Sequence, residues 1–174
     1  MKLRKRILKE ILEFGKLLLF ALVVSLFIRE NVVASGYVPT GSMEDTVMKE
    51  SRILINRLSY AWEDPQRGDI VAFHYPDNPD EIYLKRVIGL PGETIEGYDG
   101  TVYINGTPLL DDFTQQKLEQ NFGPFNIPEG CYFMMGDNRN NSWDSRYWKN
   151  HYVEKDQILG KVSLEYYPEL KRLK

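Results

Sequence analysis

The sequence predicts a mainly β protein, with an antiparallel β-sheet domain behind one N-terminal helical membrane anchor. The chain has 174 residues, a length that suits one domain with its own core. Several short segments rich in β-branched and aromatic residues are separated by Gly and Pro turns. The sequence lacks the alternation of helices and strands that is typical of a parallel sheet. A single uncharged apolar run lies near the N-terminus.

The first segment predicts the anchor. Basic residues crowd positions 1–16, which we assign to a cytoplasmic tail, and the uncharged run Leu17–Ile28 follows, so the rest of the chain would lie outside the cell. That run is only about 18 Å long against a hydrocarbon core of about 30 Å. We therefore extend the anchor to residues 17–33 and assign 34–174 to an extracytoplasmic domain. A fully extended linker from Ile28 would keep Ser42 within roughly 48 Å of the membrane.

Two other interpretations of this segment stay open. Val32-Val33-Ala34 has the small residues of a processing site, so the segment could be a cleavable signal peptide. A buried amphipathic helix is the other possibility, but Leu17–Ile28 is apolar on every face rather than along one stripe.

The rest of the chain predicts strands joined by tight turns. The strand candidates are Arg52–Asn56, Asp69–Phe73, Tyr83–Leu90, Thr101–Ile104, Tyr132–Met135 and Ile158–Tyr167. Turn signals between them include Asn105-Gly106, which is typical of a hairpin, and Pro91-Gly92. The segment Asp112–Asn121 has helical propensity and could equally be a loop insertion.

Composition and motifs exclude several functions. The chain has a net charge of −3 and the excess of basic residues is confined to its start, so nucleic acid is not an expected partner. His74 and His151 are far apart in sequence and form no HExxH pair, and Cys131 is the only cysteine, so no metal site is expected. Glycine-rich phosphate-binding motifs are absent, and we expect no cofactor.

A serine and a lysine are the remaining candidates for chemistry. Ser42 follows Gly41, where small neighbours allow backbone amides to approach a reacting carbonyl. Lys85 lies within an apolar strand, and Tyr83 and Val87 share its face. Removal of water lowers the pKa of an amine and makes it a usable base. Taken separately the two signals are weak, because a lysine commonly reaches solvent and a serine commonly caps a turn.

A third segment, residues 136–146, is dense in polar groups directly after an apolar strand. It could be a solvated loop. Its Asp and Arg residues could instead form charge-assisted hydrogen bonds that hold a serine hydroxyl against Lys85.

Together and in this order, these segments resemble the bacterial type I signal peptidases, membrane-anchored proteases with a serine–lysine dyad. The resemblance covers most of the chain. The matching motifs are Gly41-Ser42-Met43, Arg67-Gly68-Asp69-Ile70-Val71, Lys85-Arg86-Val87-Ile88-Gly89-Leu90-Pro91-Gly92, and Gly136-Asp137-Asn138-Arg139 continuing to Ser142, Asp144, Ser145 and Arg146.

The resemblance implies roles for individual residues. Ser42 would be the nucleophile, Lys85 the general base, and Thr40 a hydroxyl donor to the oxyanion hole beside the Ser42 amide. The implied supporting residues are Ser142, which would orient Lys85, and the scaffold pair Asp144 and Arg146. The implied pocket for the residue before the cut would select small side chains and is lined by Val38, Met43, Val47, Tyr83 and Leu84.

The resemblance also implies partners and location. The substrates would be signal-peptide-bearing preproteins, the anchor would contact membrane lipid, and neither metal nor cofactor would take part. The chain would be a single-pass protein of the cell membrane with a cytoplasmic N-terminus.

One departure from the family pattern lies beside the nucleophile. The pattern places a proline two residues after Met43, whereas this chain has Glu44-Asp45 followed by Thr46. We expect both carboxylates to point to solvent, because near Lys85 they would favour its charged form. Two rival interpretations remain: a self-cleaving serine–lysine regulator, and an exported β-module whose Ser42 and Lys85 never meet.

Overall fold

The computed structural model describes residues 2–173, so positions 1 and 174 of the predicted tail and domain lie outside the described residues. Helix α1 spans Lys2–Asn31, and its segment Lys9–Asn31 is long and apolar enough to cross a membrane. These 23 residues extend about 34 Å, which removes the shortfall expected from the uncharged run alone. The described side chains of this segment are exposed up to residue 31, unlike those of a core helix.

The helix ends two residues earlier than the anchor predicted from the sequence. Val32 still bonds to the helix, with its N–H 2.8 Å from the Ile28 carbonyl oxygen. Val33 instead pairs with Asn56 and begins the first strand. The β-branched side chain of Val33 suits that pleated position.

Within residues 2–173, twelve β-strands follow the helix, and every predicted strand is present with boundaries shifted by at most five residues. They are β1 Val33–Tyr37, β2 Arg52–Asn56, β3 Ile70–Tyr75, β4 Asn78–Gly89, β5 Thr94–Tyr98, β6 Thr101–Ile104, β7 Thr107–Pro108, β8 Phe122–Asn126, β9 Cys131–Met135, β10 Val153–Glu154, β11 Ile158–Tyr167 and β12 Lys171–Arg172. A short 3₁₀ turn, Lys155–Gln157, precedes β11. All recorded strand pairs are antiparallel, so the predicted fold class is confirmed.

In the described part of the chain the strands form two sheets. The larger has the order β1-β2-β11-β3-β4-β9-β10, with β12 beside β11, and the smaller has the order β7-β6-β5-β8. The predicted hairpin turn joins β6 to β7, and Asn105 and Gly106 have φ values of 50° and 74°. The segment Asp112–Asn121 forms turns and bends without a helix, which agrees with the loop alternative.

Among the residues that the structure describes, three buried apolar clusters hold these elements together. The first packs residues after β1 against β2 and β3, and includes Val38, Met43 and Val47. The second surrounds Phe73, Val87 and Trp148, and the third joins the two sheets. At the end of β9, Met135 lies opposite Arg86 of β4. The segment that follows β9 reaches the segment after β1, where the N–H of Asn138 lies 3.2 Å from the Ser42 carbonyl oxygen.

Candidate active site

The Ser42 loop is a compact turn held by backbone bonds and two buried side chains. The N–H of Glu44 lies 3.1 Å from the Gly41 carbonyl oxygen, and the N–H of Val47 lies 2.8 Å from the Met43 carbonyl oxygen. Met43 and Val47 are completely buried in the first cluster. The side chain of Ser42 is thereby positioned between this core and solvent.

Lys85 brings its amine to this serine. It lies in the buried half of β4 opposite Val71, and only 4% of the residue is exposed. The Lys85 Nζ donates a hydrogen bond of 2.6 Å to the Ser42 Oγ. Burial lowers the pKa of Lys85 from 10.5 to about 8, although the nearby Asp144 carboxylate opposes that shift.

The apolar environment of Lys85 agrees with the strand pattern. Its Nζ lies 5.6 Å from the centre of the Tyr83 ring, and that ring stacks on Tyr75 at a centroid distance of 4.5 Å. Val87 is completely buried on the same face of β4. These groups exclude water from the amine, which is the physical cause of its lowered pKa.

The segment after β9 is fixed by buried ion pairs. Arg146 donates two hydrogen bonds to Asp144, at 2.7 and 2.8 Å, and Asp144 accepts the N–H of Gly136 at 3.0 Å. Arg86 of β4 donates two further bonds to Asp137, at 2.8 and 2.7 Å. Paired, hydrogen-bonded charges of this kind hold a loop in one geometry, because separating either pair would leave a buried charge.

Ser142 lies beside the dyad without bonding to it. Its Oγ is buried and has no hydrogen-bond partner within residues 2–173, so the bond expected toward Lys85 is not formed in this geometry. A Cβ on residue 136 would lie 2.3 Å from both the Ser142 Oγ and the Ser42 carbonyl oxygen. The absence of a side chain at Gly136 therefore allows Ser142 to approach the nucleophile loop.

A cleft of about 640 Å³ opens beside the Ser42 hydroxyl. Val38, Tyr83 and Leu84 of the expected pocket line it, and Thr40 lies exposed on its rim. Met43 and Val47 do not line it, because their buried side chains pack beneath the loop. The cleft also contains residues that sequence reasoning did not assign, namely Ile53, Ile55, Ala72, Ile82 and Trp143.

A period-two pattern could have found part of that missed lining. Ile53 and Ile55 alternate with exposed or half-buried neighbours along β2, so both point to the same face. Their assignment to the cleft depends on β2 lying next to β1, a pairing that the sequence does not encode locally.

Glu44 and Asp45, the two residues at the departure from the family pattern, differ in their exposure to solvent. Asp45 is exposed, as expected, and its φ of 85° cannot be adopted by proline. Glu44 does not point freely to solvent: it is half-buried, and its Oε2 accepts a hydrogen bond of 3.4 Å from the Asn138 side chain. The departure from the pattern therefore changes the backbone of the nucleophile loop at residue 45.

Within residues 2–173, no group of three or more His, Cys, Asp or Glu side chains is arranged to hold a metal ion. The chemistry available at this site is that of a hydroxyl, an amine and backbone N–H groups.

Comparison with known proteins agrees with this geometry. The chain matches the family described as "Signal peptidase, peptidase S26" over residues 11–167. It is 36% identical to the "Probable signal peptidase I-2" of Synechocystis sp. across 90% of this chain and 73% of that protein. It is also 36% identical to the "Signal peptidase I S" of Bacillus subtilis across 92% of this chain and 91% of that protein.

A crystal structure of a signal peptidase I from Enterococcus faecalis aligns with a TM-score of 0.46 at 40% identity, over 57% of this chain and 97% of that one.

The fold and the site define a serine hydrolase with a lysine partner. The chain belongs to the signal peptidase family S26, so the resemblance stated from the sequence is confirmed. It is a protease of the signal peptidase I class, and its activity is the removal of leader peptides.

Proposed function

We propose that this protein is a membrane-anchored endopeptidase in which Ser42 is the nucleophile and Lys85 the general base, acting on signal-peptide-bearing preproteins. The observation that carries the proposal is the 2.6 Å contact between the Lys85 Nζ and the Ser42 Oγ, formed by an amine that is almost fully buried. Because the pKa of Lys85 is about 8, a fraction of the protein molecules carries a neutral amine near neutral pH, and this neutral amine can act as a base.

In the first step, neutral Lys85 accepts the hydroxyl proton of Ser42 while the Oγ attacks the scissile carbonyl carbon. The carbonyl π electrons move to its oxygen, which becomes an oxyanion. The backbone N–H of Ser42 and the hydroxyl of Thr40 on the cleft rim donate hydrogen bonds to that oxyanion.

The second step releases the amine product. Lys85 returns its proton to the leaving nitrogen as the carbon–nitrogen bond breaks, which leaves the leader peptide attached to Ser42 as an ester. Neutral Lys85 then takes a proton from water, the resulting hydroxide attacks the ester, and the Ser42 oxygen recovers its proton on leaving.

The cleft supports selection of small residues before the cut. Val38, Leu84 and Ala72 line the same cleft as Ser42, so small apolar side chains would find an apolar lining there. Within residues 2–173, β1 pairs only with β2, and β4 pairs with β9 only from Arg86 onward. An extended substrate would find unpaired backbone groups on both sides of this cleft.

The proposed orientation places the N-terminal end of α1 in the cytoplasm and the β domain outside. Basic residues dominate the first 16 positions, and Arg29 is the basic residue of the last helical turn. The 23-residue candidate span supplies the contact with membrane lipid.

The deciding experiment compares dyad variants on a preprotein. The purified full chain in detergent should cleave a leader-bearing precursor at one site, and Ser42→Ala and Lys85→Arg should each lower the rate by at least a thousandfold. Lys85→Arg preserves charge but cannot supply a neutral base. Lys161→Arg is the matched control, because Lys161 pairs with Asp69 away from the cleft, and it should keep the wild-type rate.

Each alternative has its own outcome in this assay. Cleavage of the chain itself without cleavage of the precursor would favour a self-cleaving regulator. The absence of any cleavage would favour a non-catalytic module, and wild-type cleavage by Lys85→Arg would refute Lys85 as the base.

A further inference from the structure

Asn138 holds both carbonyl groups that flank the nucleophile. Its side-chain Nδ2 donates a hydrogen bond of 3.0 Å to the Gly41 carbonyl oxygen. Its backbone N–H donates a hydrogen bond of 3.2 Å to the Ser42 carbonyl oxygen. Only 9% of Asn138 is exposed. The segment after β9 is thereby joined directly to the peptide planes on either side of Ser42.

The orientation of the Asn138 amide is determined by its neighbours. Its Oδ1 accepts a hydrogen bond of 3.1 Å from the Gln116 Nε2, which leaves the Nδ2 directed toward the nucleophile loop. The same Nδ2 also donates to the Glu44 Oε2 at 3.4 Å. Glu44 is one of the two carboxylates that depart from the family pattern, and here it supports the Asn138 side chain.

The bond to Gly41 has a consequence for the neighbouring amide. In a trans peptide the carbonyl of Gly41 and the N–H of Ser42 lie in one plane and point in opposite directions. Because the Asn138 Nδ2 holds the Gly41 carbonyl toward Asn138, the Ser42 N–H points away from Asn138. Ser42 lines the cleft, so this N–H is the donor assigned above to the oxyanion.

We propose that Asn138 is a positioning residue that fixes the Ser42 amide for oxyanion stabilisation, with Glu44 orienting its side chain. The inference deepens the proposed function and rests on it. Asn138 acts through the Gly41–Ser42 peptide and does not contact the substrate. The Glu44 N–H also donates to the Gly41 carbonyl oxygen at 3.1 Å, so the Asn138 side chain is one of two donors that hold this peptide. An oxyanion-hole donor contributes about 10²–10³ in rate, so an amide whose peptide loses one of these two bonds loses part of that factor.

The test compares Asn138→Ala with Asn140→Ala. Asn140 lies in the same loop and donates to the Lys117 carbonyl oxygen at 2.9 Å, so its substitution removes a similar hydrogen bond away from the nucleophile. Asn138→Ala should lower kcat by about tenfold to a hundredfold with little change in KM, and Asn140→Ala should retain the wild-type values.

A pair of peptide inhibitors separates positioning from general loosening of the cleft. A peptide aldehyde adds the Ser42 Oγ to its carbonyl carbon and develops the oxyanion, whereas the same peptide ending in the alcohol only occupies the cleft. Asn138→Ala should weaken binding of the aldehyde by about the factor lost in kcat and leave the affinity for the alcohol unchanged. Equal weakening of both inhibitors, or of neither, would overturn the proposal.

Asn138→Asp provides a second variant in case the alanine variant does not fold. It keeps the side-chain volume but presents a carboxylate oxygen where the Nδ2 donated, so it should lose at least as much kcat. A folded Asn138→Asp variant with wild-type kcat would refute the role of Asn138 and leave the dyad intact. Failure of the wild-type chain to cleave any precursor would instead refute the proposed function.

Discussion

The buried Lys85, which we propose as the base, should also lower the stability of the fold, and Lys85→Met tests this. In the unfolded chain Lys85 has an ordinary pKa of 10.5, and in the folded chain its pKa is about 8. Each unit of difference corresponds to about 1.4 kcal/mol, so folding with a charged amine is disfavoured by about 3 kcal/mol below pH 8.

The pH range of this effect follows from the direction of the shift. Between about pH 8 and pH 10.5 the unfolded chain binds the proton more strongly than the folded chain, so stability rises with pH in that interval. Below pH 8 both states are protonated and the full penalty remains. Methionine fills a similar volume without a charge, so Lys85→Met removes the pH-dependent contribution but also the hydrogen bond to Ser42.

The assay is denaturant unfolding of the two proteins in detergent, followed by tryptophan fluorescence, to which the buried Trp148 contributes. Relative to Lys85→Met, the wild-type chain should gain about 2–3 kcal/mol of unfolding free energy between pH 7 and pH 10. Comparing the two pH values cancels the contribution of the lost hydrogen bond. An unchanged difference at the two pH values would show that the amine is hydrated in the folded protein and would refute the desolvation argument.

Three further predictions concern rate and loop geometry. The kcat/KM should rise about tenfold per pH unit up to a midpoint near pH 8, because only neutral Lys85 accepts the proton. Asp45→Gly should stabilise the fold by about 1 kcal/mol, and Asp45→Pro should lower both stability and activity, since φ at this position is 85°. Gly136→Ala should lower activity more than tenfold by forcing Ser142 and the Ser42 loop apart, whereas Gly15→Ala, with no neighbour within 4 Å, should have no effect.

The measurements are equally direct. A pH–rate profile that is flat from pH 6 to pH 9 would contradict the first prediction. For the second, the melting temperature of Asp45→Gly should lie above that of the wild type and the melting temperature of Asp45→Pro below it. Equal melting temperatures would contradict this prediction. For the third, precursor cleavage by Gly136→Ala at the wild-type rate would show that the loops can move apart without loss of the dyad.

Among residues 2–173, five of the eight strands of the larger sheet were predicted, because their residues carry strong local preferences, whereas β1, β10 and β12 were missed. The β11 boundaries, Ile158–Tyr167, match the prediction, since branched and aromatic residues fill that segment. Strands β5 and β8 were missed because glycine and proline interrupt them, as in Phe122–Asn126. Their pairing with each other depends on the third apolar cluster, a tertiary contact rather than a local preference.

At the site, the motifs named residues that the structure brings together, Ser42 with Lys85 and Asp144 with Arg146, but not all the contacts around them. Ser42 and Lys85 are 43 residues apart and meet within hydrogen-bond distance, as the resemblance implied. The absence of a bond between Ser142 and Lys85, and the contact of Glu44 with Asn138, depend on side-chain directions within packed loops. A motif specifies which residues are present and does not specify the directions of their side chains.

The junction between helix and sheet limits how far the cleft can lie from the bilayer. Val32 alone separates α1 from β1, and its carbonyl oxygen accepts the N–H of Arg57 at 2.9 Å, so the extended linker considered from the sequence does not occur. Ser42 follows Asn31, the last residue of α1, by eleven residues, so it lies at most about 37 Å from the helix end. With α1 in the bilayer, a substrate held in the same surface reaches the cleft within that distance, which about eleven extended residues span. The enzyme would then choose its cutting site by spacing from the lipid as well as by side-chain size.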